Sequence, residues 1–367
     1  MATMSWSDLP EDLAEMILRQ PTDVVNLYNY RCVCRSWRSV AGELFASSPP
    51  QLLSYKKQSR IVQRICLLNV FNGNSSVCKI PKFKTVDGQP LLPRSVYSWH
   101  RWLVMDCTTS KCSSGCDRKY HAHHICLYNP FSRAWIRLPA FTLDHSLDTQ
   151  KRKFVLSSEP GNPSSIALAI RDGKSLEKLM FLKPGGKEWI VVDMRMWVVD
   201  VISYKGGFCA LDWHRNLIQF KLGTHVPYAK RIPTRINALS SDLYPTEYLM
   251  ESLCGDLLLV QLNLGSNGGW KFNVFKLDWG RMAWKEITSL GDEAIFLSCD
   301  ESGCMRAGDS TIFKRNCIYF TDDVLCMTLQ KEGFGVYDIA NQTVGRFPRS
   351  FPHQNDRLCY RWFTTQI

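Results

Sequence analysis

From residue 61 onward the chain is a succession of short apolar runs set between turn residues, and this pattern leaves few folds open. ICLLNVF (65–71), RWLVMDC (101–107), HICLYNP (124–130), SIALAIR (165–171), KLMFLK (178–183) and EWIVVDM (188–194) come first. FCALDW (208–213), LIQFKL (217–222), GDLLLVQL (255–262), FNVFKLD (272–278), AIFLS (294–298), CIYFTDD (317–323) and GVYDIA (335–340) follow. Runs of this length, rich in aliphatic and aromatic residues, predict strands, so residues 61–367 are expected to form an all-β body.

A coarse repeat runs through this body. CLYNPFSRAWIRLP, VFKLDWGRMAWKEI and VYDIANQTVGRFP share one form, and MFLKPGGKEWIVV follows it more loosely: a strand, a turn holding Asn, Asp, Gly or Pro, and a second strand closing on tryptophan or proline. Each predicts a hairpin. About three hundred residues at about forty-five to fifty per four-stranded blade give about six blades. Radial repetition leaves only short, protected strand edges, so a β-propeller is the favoured architecture, with a stacked sandwich as the alternative.

Residues 6–45, WSDLPEDLAEMILRQPTDVVNLYNYRCVCRSWRSVAGELF, behave differently. A first helix is expected from Pro10, whose fixed φ suits the first helical position, with Glu11 and Asp12 at the positive end of the dipole. Leu9, Leu13, Met16, Ile17 and Leu18 make one apolar stripe. Pro21 pushes its predecessor out of the helical region, which ends that helix near Gln20. Asp23 is a cap for a short second helix carrying Val24, Leu27 and Tyr28. Tyr30, Val33, Trp37, Val40 and Leu44 have the spacing of a third helix. About forty residues cannot bury this much apolar surface alone, so a partner or the rest of the chain must cover part of it.

The Leu9-Pro10 pair, Ile17-Leu18, and above all Val33-Cys34-Arg35-Ser36-Trp37-Arg38 resemble the F-box, the motif that docks on the Skp adaptor of cullin–RING ubiquitin ligases. The resemblance implies that Leu9, Pro10, Leu13, Ile17, Leu18, Val33, Cys34 and Trp37 form or support the adaptor-binding surface. Gln20 stands where such sequences often carry another leucine, and Asn26 where an aspartate is common. With the LYNP…LP hairpin in the first third of the β body, and AIFLS and CIYFTDD near its end, the whole chain is similar to plant F-box proteins carrying a C-terminal domain of unknown function 295. Those proteins resemble kelch-type F-box proteins in layout. The expected domains are an F-box over 1–48, a linker over 49–60 containing Pro49-Pro50, and a substrate-recognition body over 61–367.

Composition narrows the setting. The 367 residues are 45% hydrophobic and 22% charged, ordinary for a chain with a sizeable core. The start of the chain has neither a basic segment nor an apolar run, so no secretory signal is expected. The longest apolar stretch, residues 189–202, is broken by Asp193, Arg195 and Asp200, so no membrane span is expected. Fifteen cysteines in such a chain are expected to be mostly reduced, in the cytoplasm, the nucleus or both. The net charge of +11 is uneven: residues 1–50 hold four arginines against six carboxylates, so the remainder carries +13.

Chemistry-bearing clusters are few. Cys107, Cys112, Cys116, His121, His123, His124 and Cys126 place thiol and imidazole groups in one segment, but the cysteine spacings do not match a zinc knuckle. An inserted hairpin loop explains the same residues and is preferred, so neither metal nor cofactor is expected. There is no G-x-S-x-G elbow, and Pro184-Gly185-Gly186-Lys187 lacks the spacing of a phosphate-binding loop. No intrinsic enzyme is expected. Trp99, Arg101, Trp102, Trp213 and Arg215 combine aromatic and basic character at hairpin tips and are candidates for contacting a target protein, against the plainer role of tryptophans that brace neighbouring blades.

The expected function is that of a substrate-receptor subunit of a Skp–cullin–F-box ubiquitin ligase, holding a Skp-type adaptor and an unidentified target for ubiquitination and degradation. The alternative is a basic β-rich module for nucleic acid or another polyanion, with the helices as a structural cap. A dispersed positive balance without a dense Lys/Arg stripe places nucleic acid second.

Overall fold

The computed structural model forms the three expected helices: α1 (Glu11–Leu18), α2 (Val24–Tyr30) and α3 (Arg35–Ala46). Pro10 is the residue before α1 rather than its first, with ψ of 148°, and the helix closes at Leu18, slightly short of Gln20. The expected cap Asp23 lies outside the described residues. Tyr30 and Val33 belong to the end of α2 and the turn after it rather than to a third helix. Three backbone bonds, from Arg31, Cys32 and Val33 to Tyr28, Asn29 and Tyr30, tighten that turn and leave Tyr30 against Trp37, ring centroids 5.6 Å apart.

The described residues are 6–20, 24–46, 48–58, 61–109, 120–144, 152–162, 167–171, 178–193, 198–221, 228–236, 246–264, 269–308, 312–321, 324, 335–346 and 359–364. They fall into two units, one from Met1–Ser114, His124–Leu138 and Ser350–Ile367, the other from Gly115–His123 and Pro139–Arg349. Among the described residues the named elements after the helices are all strands, arranged as a β-propeller. Five sheets each draw on one continuous stretch of chain, and a further sheet joins its two ends.

That joining sheet corrects the expected linker. Gln51–Gln58 is a strand, paired on one side with Ile61–Leu68 and on the other with the C-terminal strand Cys359–Phe363. Pro49-Pro50 stops α3, and Leu52, Leu53 and Tyr55 are then buried, which no solvated linker permits. In the same unit Ala14, Leu18, Val24, Leu27, Trp37 and Phe45 of the helices share one core with Leu53, Ile65, Val96, Leu103, Phe131 and Phe363. The F-box helices bury their inner face on the strands, which supplies the cover that forty residues lack.

The repeat in the sequence has one physical cause. In four hairpins a side-chain oxygen at the end of one strand accepts two backbone N–H groups of the turn: Asn69 from Phe71 and Asn72, Asn129 from Phe131 and Ser132, Asp278 from Gly280 and Arg281, Asp338 from Ala340 and Asn341. Four residues after each oxygen the backbone turns left-handed, at Gly73, Arg133, Met282 and Gln342. The Asx turn substitutes a side-chain acceptor for a ladder bond, and the positive φ restores the strand direction. Bonds from Asn341 also hold the Asp338 carboxyl below its ordinary value.

AIFLS and CIYFTDD, far apart in sequence, meet in space. Glu293–Leu297 pairs in parallel with Cys317–Phe320, Ile295 opposite Ile318 and Leu297 opposite Phe320. Phe320 then faces Gly335 across an antiparallel pair. A Cβ at Gly335 would sit 2.1 Å from the Phe320 ring, so only glycine lets the ring lie flat on that strand.

Between sheets of the second unit, Asp200 acts as a bolt. Its carboxylate accepts Lys153 Nζ at 2.6 Å, the Val201 N–H at 2.8 Å and the Leu249 N–H at 2.8 Å. Strands Arg152–Leu156, Val198–Tyr204 and Thr246–Glu251, from three different sheets, are thereby tied to one buried side chain.

Two stability effects are expected. Gly335→Ala is expected to cost about 1–3 kcal/mol, since the added methyl overpacks the Phe320 ring, with much of the loss recovered in a Phe320→Leu background. Asp200→Ala strands a buried ammonium and is expected to cost about 3–5 kcal/mol, whereas the paired Lys153→Met/Asp200→Leu change costs less. Denaturant unfolding of the single and double variants measures both.

Candidate functional site

Helix α1 is apolar on two sides. Ala14 and Leu18 point into the core, while Leu13, Met16 and Ile17, spaced by three and one, remain at the surface. Val33, in the turn before α3, is likewise exposed. Trp6 adds a further ring, edge-on to Trp37 at 6.1 Å, and its carbonyl accepts Trp37 Nε1 at 3.1 Å. Trp6 and Met16 are 65% and 63% exposed, Leu13 45%, Val33 44% and Ile17 36%. Isolated apolar side chains on a surface need no explanation, but five on one small helical unit do.

The eight residues singled out in the sequence divide by position. Pro10, Leu13, Ile17 and Val33 are exposed, Leu9 and Cys34 are half-buried against the core, and Leu18 and Trp37 are buried within it. The first four present surface, the next two edge it, and the last two hold the helices that carry it. Trp6 was not among the expected docking residues, and Met16 was placed only in the stripe. The signal for Met16 lay in its spacing from Leu13, three residues on; Trp6 gave none, because its exposure depends on how Trp37 folds beneath it.

Of the hairpin-tip candidates, Trp99 and Trp102 are buried and face each other across a two-residue turn in which His100 has φ of 46°. Arg101 is half-buried. They brace the first unit. In the second unit the turn at residues 212–216 is organised by buried Asp212, which accepts the N–H groups of His214 and Asn216 and pairs with Arg231 at 2.8 Å. Arg215 pairs with buried Glu247, and its carbonyl accepts Thr234 Oγ1 and Trp284 Nε1. Arg215 is therefore an internal strut, while Trp213 at the apex is 48% exposed.

Cys112 and Cys116 of the cysteine- and histidine-rich segment lie outside the described residues. Cys107 and Cys126 are buried on neighbouring strands. A hydrogen bond with the Cys126 thiol, and then burial, push the Cys107 thiol well above its ordinary range. His123 is buried and stacked on Phe141 at 5.6 Å. Among the described residues no three metal-ligating side chains converge, and no described cysteine is in a disulfide.

A helical unit with an exposed apolar face followed by a β-propeller defines the class, a two-part protein. Residues 72–338 match the KIB1-4 beta-propeller family and residues 6–46 the F-box-like family, so the chain belongs to the KIB1-4 beta-propeller family and is a plant F-box protein with a propeller domain. Relatives from Arabidopsis thaliana include F-box protein At2g17036, 23% identical over 91% of this chain and 88% of that protein, and F-box protein At2g26160, 24% identical over 88% and 97%. A putative 6-phosphogluconolactonase from Bacteroides uniformis aligns with 85% of the chain and 82% of its own at a TM-score of 0.38 and 11% identity, a likeness that carries no functional weight.

Thiol reactivity tests the burial pattern. Burial pushes the Cys209 thiol up to about 12 and raises that of Cys304 well above its ordinary value, while Cys32 and Cys254 are exposed. Among the described cysteines, a thiol reagent applied to the native chain near neutral pH is expected to modify Cys32 and Cys254 first, with Cys107, Cys209 and Cys304 reacting only on unfolding. Mass mapping of the labelled sites would reveal any reversal.

Proposed function

We propose that the chain is the substrate-receptor subunit of a Skp–cullin–F-box ubiquitin ligase, docking a Skp-type adaptor through its helical unit and a target through its β-propeller. The observation that carries this reading is the exposed row Leu13, Met16, Ile17 and Val33 on helices whose other face is fully packed. Such a row costs free energy in water, and a partner's groove would relieve it. The F-box-like match over the same residues and the F-box names of the relatives support the same assignment.

In this reading the chain performs no bond chemistry. It lowers the entropy cost of ubiquitin transfer by holding a target lysine near the thioester of the charged conjugating enzyme. Position is then what matters, and the shared core of helices and strands supplies it. Polar contacts add little on the docking face: Arg19 and Glu15 pair along α1, but both are exposed and the pair contributes at most a few tenths of a kcal/mol. The proteins act in the cytoplasm, the nucleus or both, where reduced thiols persist.

The test is reconstitution of the full chain with a plant Skp-type adaptor, a cullin–RING core and a charged conjugating enzyme. A complex that survives high salt and supports ubiquitin transfer is expected. Ile17→Asp with Val33→Asp is expected to weaken adaptor binding by about a hundredfold or more, with unfolding stability changed by about 0.5 kcal/mol or less. Trp37→Ala, by contrast, is expected to lose about 3–5 kcal/mol of stability. A folded wild-type chain that ignores the adaptor would sink the proposal, and a complex that forms without transfer would reduce the chain to a scaffold.

A further inference from the structure

Several cations in the second unit have carboxylate partners. Lys153 meets Asp200, Arg215 meets Glu247, Arg231 meets Asp212, Lys276 meets Asp256 and Arg306 meets Asp292. The first unit contains a surface built on the opposite plan. There Lys79, Lys82 and Lys84 follow the strand Ser75–Cys78, and Arg133 and Arg137 flank Trp135 on the hairpin after Tyr120–Tyr128.

Contacts bring these residues together. The Tyr128 hydroxyl donates to the Lys79 carbonyl at 3.0 Å, and Arg137 Nη1 donates to the Lys84 carbonyl at 2.9 Å. Phe83, almost fully buried, meets the Trp135 ring at 5.4 Å and the Tyr128 ring at 6.3 Å. Residues 79–84 are thus pinned against the hairpin while the lysine side chains stay in solvent. Lys79, Lys82, Lys84 and Arg133 are exposed and Arg137 half-buried, and none of the five pairs with a carboxylate among the described residues. Within residues 75–91 and 128–138, Asp87 is the single acid against these five cations. Exposed apolar groups lie between them: Trp135, Val77 and Val86.

The support beneath the patch is rigid. The Asn129 turn that sends Arg133 outward, with φ of 59°, sends Phe131 inward against Phe45 and Phe363. Trp135 is held edge-on by a buried phenylalanine, so little side-chain entropy remains to be lost when it is covered. Five uncompensated like charges repel one another, and an anionic partner relieves that repulsion.

We propose that this surface, Lys79, Lys82, Lys84, Arg133 and Arg137 around Trp135, is a docking site for a linear acidic protein segment whose carboxylates are interspersed with apolar side chains. The interleaving of cations with Val77, Val86 and Trp135 matches such a segment. A nucleic acid would ask for a longer stripe of charge and several stacking rings, whereas one exposed tryptophan is present in this patch. As a target-docking site the surface rests on the receptor reading, but binding of the acidic segment does not require the adaptor.

The probe is a fluorescent peptide of alternating acidic residues and leucine, compared by anisotropy with its Gln/Asn isostere and with single-stranded DNA and RNA of matched length, all against the full chain. The peptide is expected to bind and the isostere not to. Lys82→Glu/Lys84→Glu/Arg133→Glu is expected to weaken binding by about thirtyfold or more, while Lys230→Glu/Arg235→Glu/Lys285→Glu, exposed cations of the second unit with the same net charge change, alters it by about threefold or less. Trp135→Ser is expected to weaken it several-fold. Equal losses in both triple variants, no peptide binding, or tighter binding of either oligonucleotide would overturn the proposal. Adaptor capture by the same preparations separates the two readings: loss of adaptor binding alone removes the ligase role and leaves the acidic-segment site, and the converse result removes only the site.

Discussion

Four aromatic rings in the first unit hold the rest of its structure in place. Tyr28 of α2 and Phe45 of α3 lie 5.5 Å apart, Phe131 sits 5.4 Å and 5.1 Å from them, and Phe363 of the last strand closes the group at 5.8 Å from Phe131. Such pairs contribute about 0.5–1.5 kcal/mol each beyond the area they bury. Their larger effect is connectivity, because helices near the start of the chain, a hairpin turn about a third of the way along it and the strand near its end meet in one cluster. Arg31 lies over the Tyr28 and Phe45 rings at 5.3 and 5.9 Å, adding cation–π attraction at the outer edge.

This cluster changes what the helical unit is. A docking module on a flexible tether would find its target by search, at an effective concentration set by the tether. Here the segment taken for a tether is a strand with a neighbour on each side. The inner faces of the helices are consumed by the strands, which is why the apolar side chains left over, Leu13, Met16, Ile17 and Val33, fall together on the outer side. The docking face and the fusion to the body have the same origin in the amphipathic excess of forty residues.

Much of this was readable from residue patterns, and the parts that were not share a physical reason. Strands such as Leu257–Leu264 and Glu293–Leu297 appeared as apolar runs because their side chains pack on both faces. The hairpins appeared because Asn129, Asp278 and Asp338 mark their turns. The strands Gln51–Gln58, Arg152–Leu156, Val198–Tyr204, Thr246–Glu251 and Ser302–Arg306 were missed. Three of them carry Lys153, Asp200 and Glu247, residues typical of loops, whose ion-pair partners stand 47 and 32 residues away along the chain. Trp99, Trp102 and Arg215 looked like recognition residues for a related reason: aromatic and basic character is common to a binding tip and to a braced turn, and only burial separates them. Trp213 kept its place at a tip because the Asp212 and Arg215 contacts lie beneath it.

The exposed row on α1 and the turn before α3 is the surface we propose for a Skp-type adaptor. Amide hydrogen exchange of the full chain, with and without a saturating plant adaptor, tests it most directly. Slowed exchange confined to residues 6–20 and 31–38, with residues 72–338 unchanged, is the predicted result. Protection that falls on the β strands and spares the helices, or no protection at all, would remove the helical face as the adaptor surface.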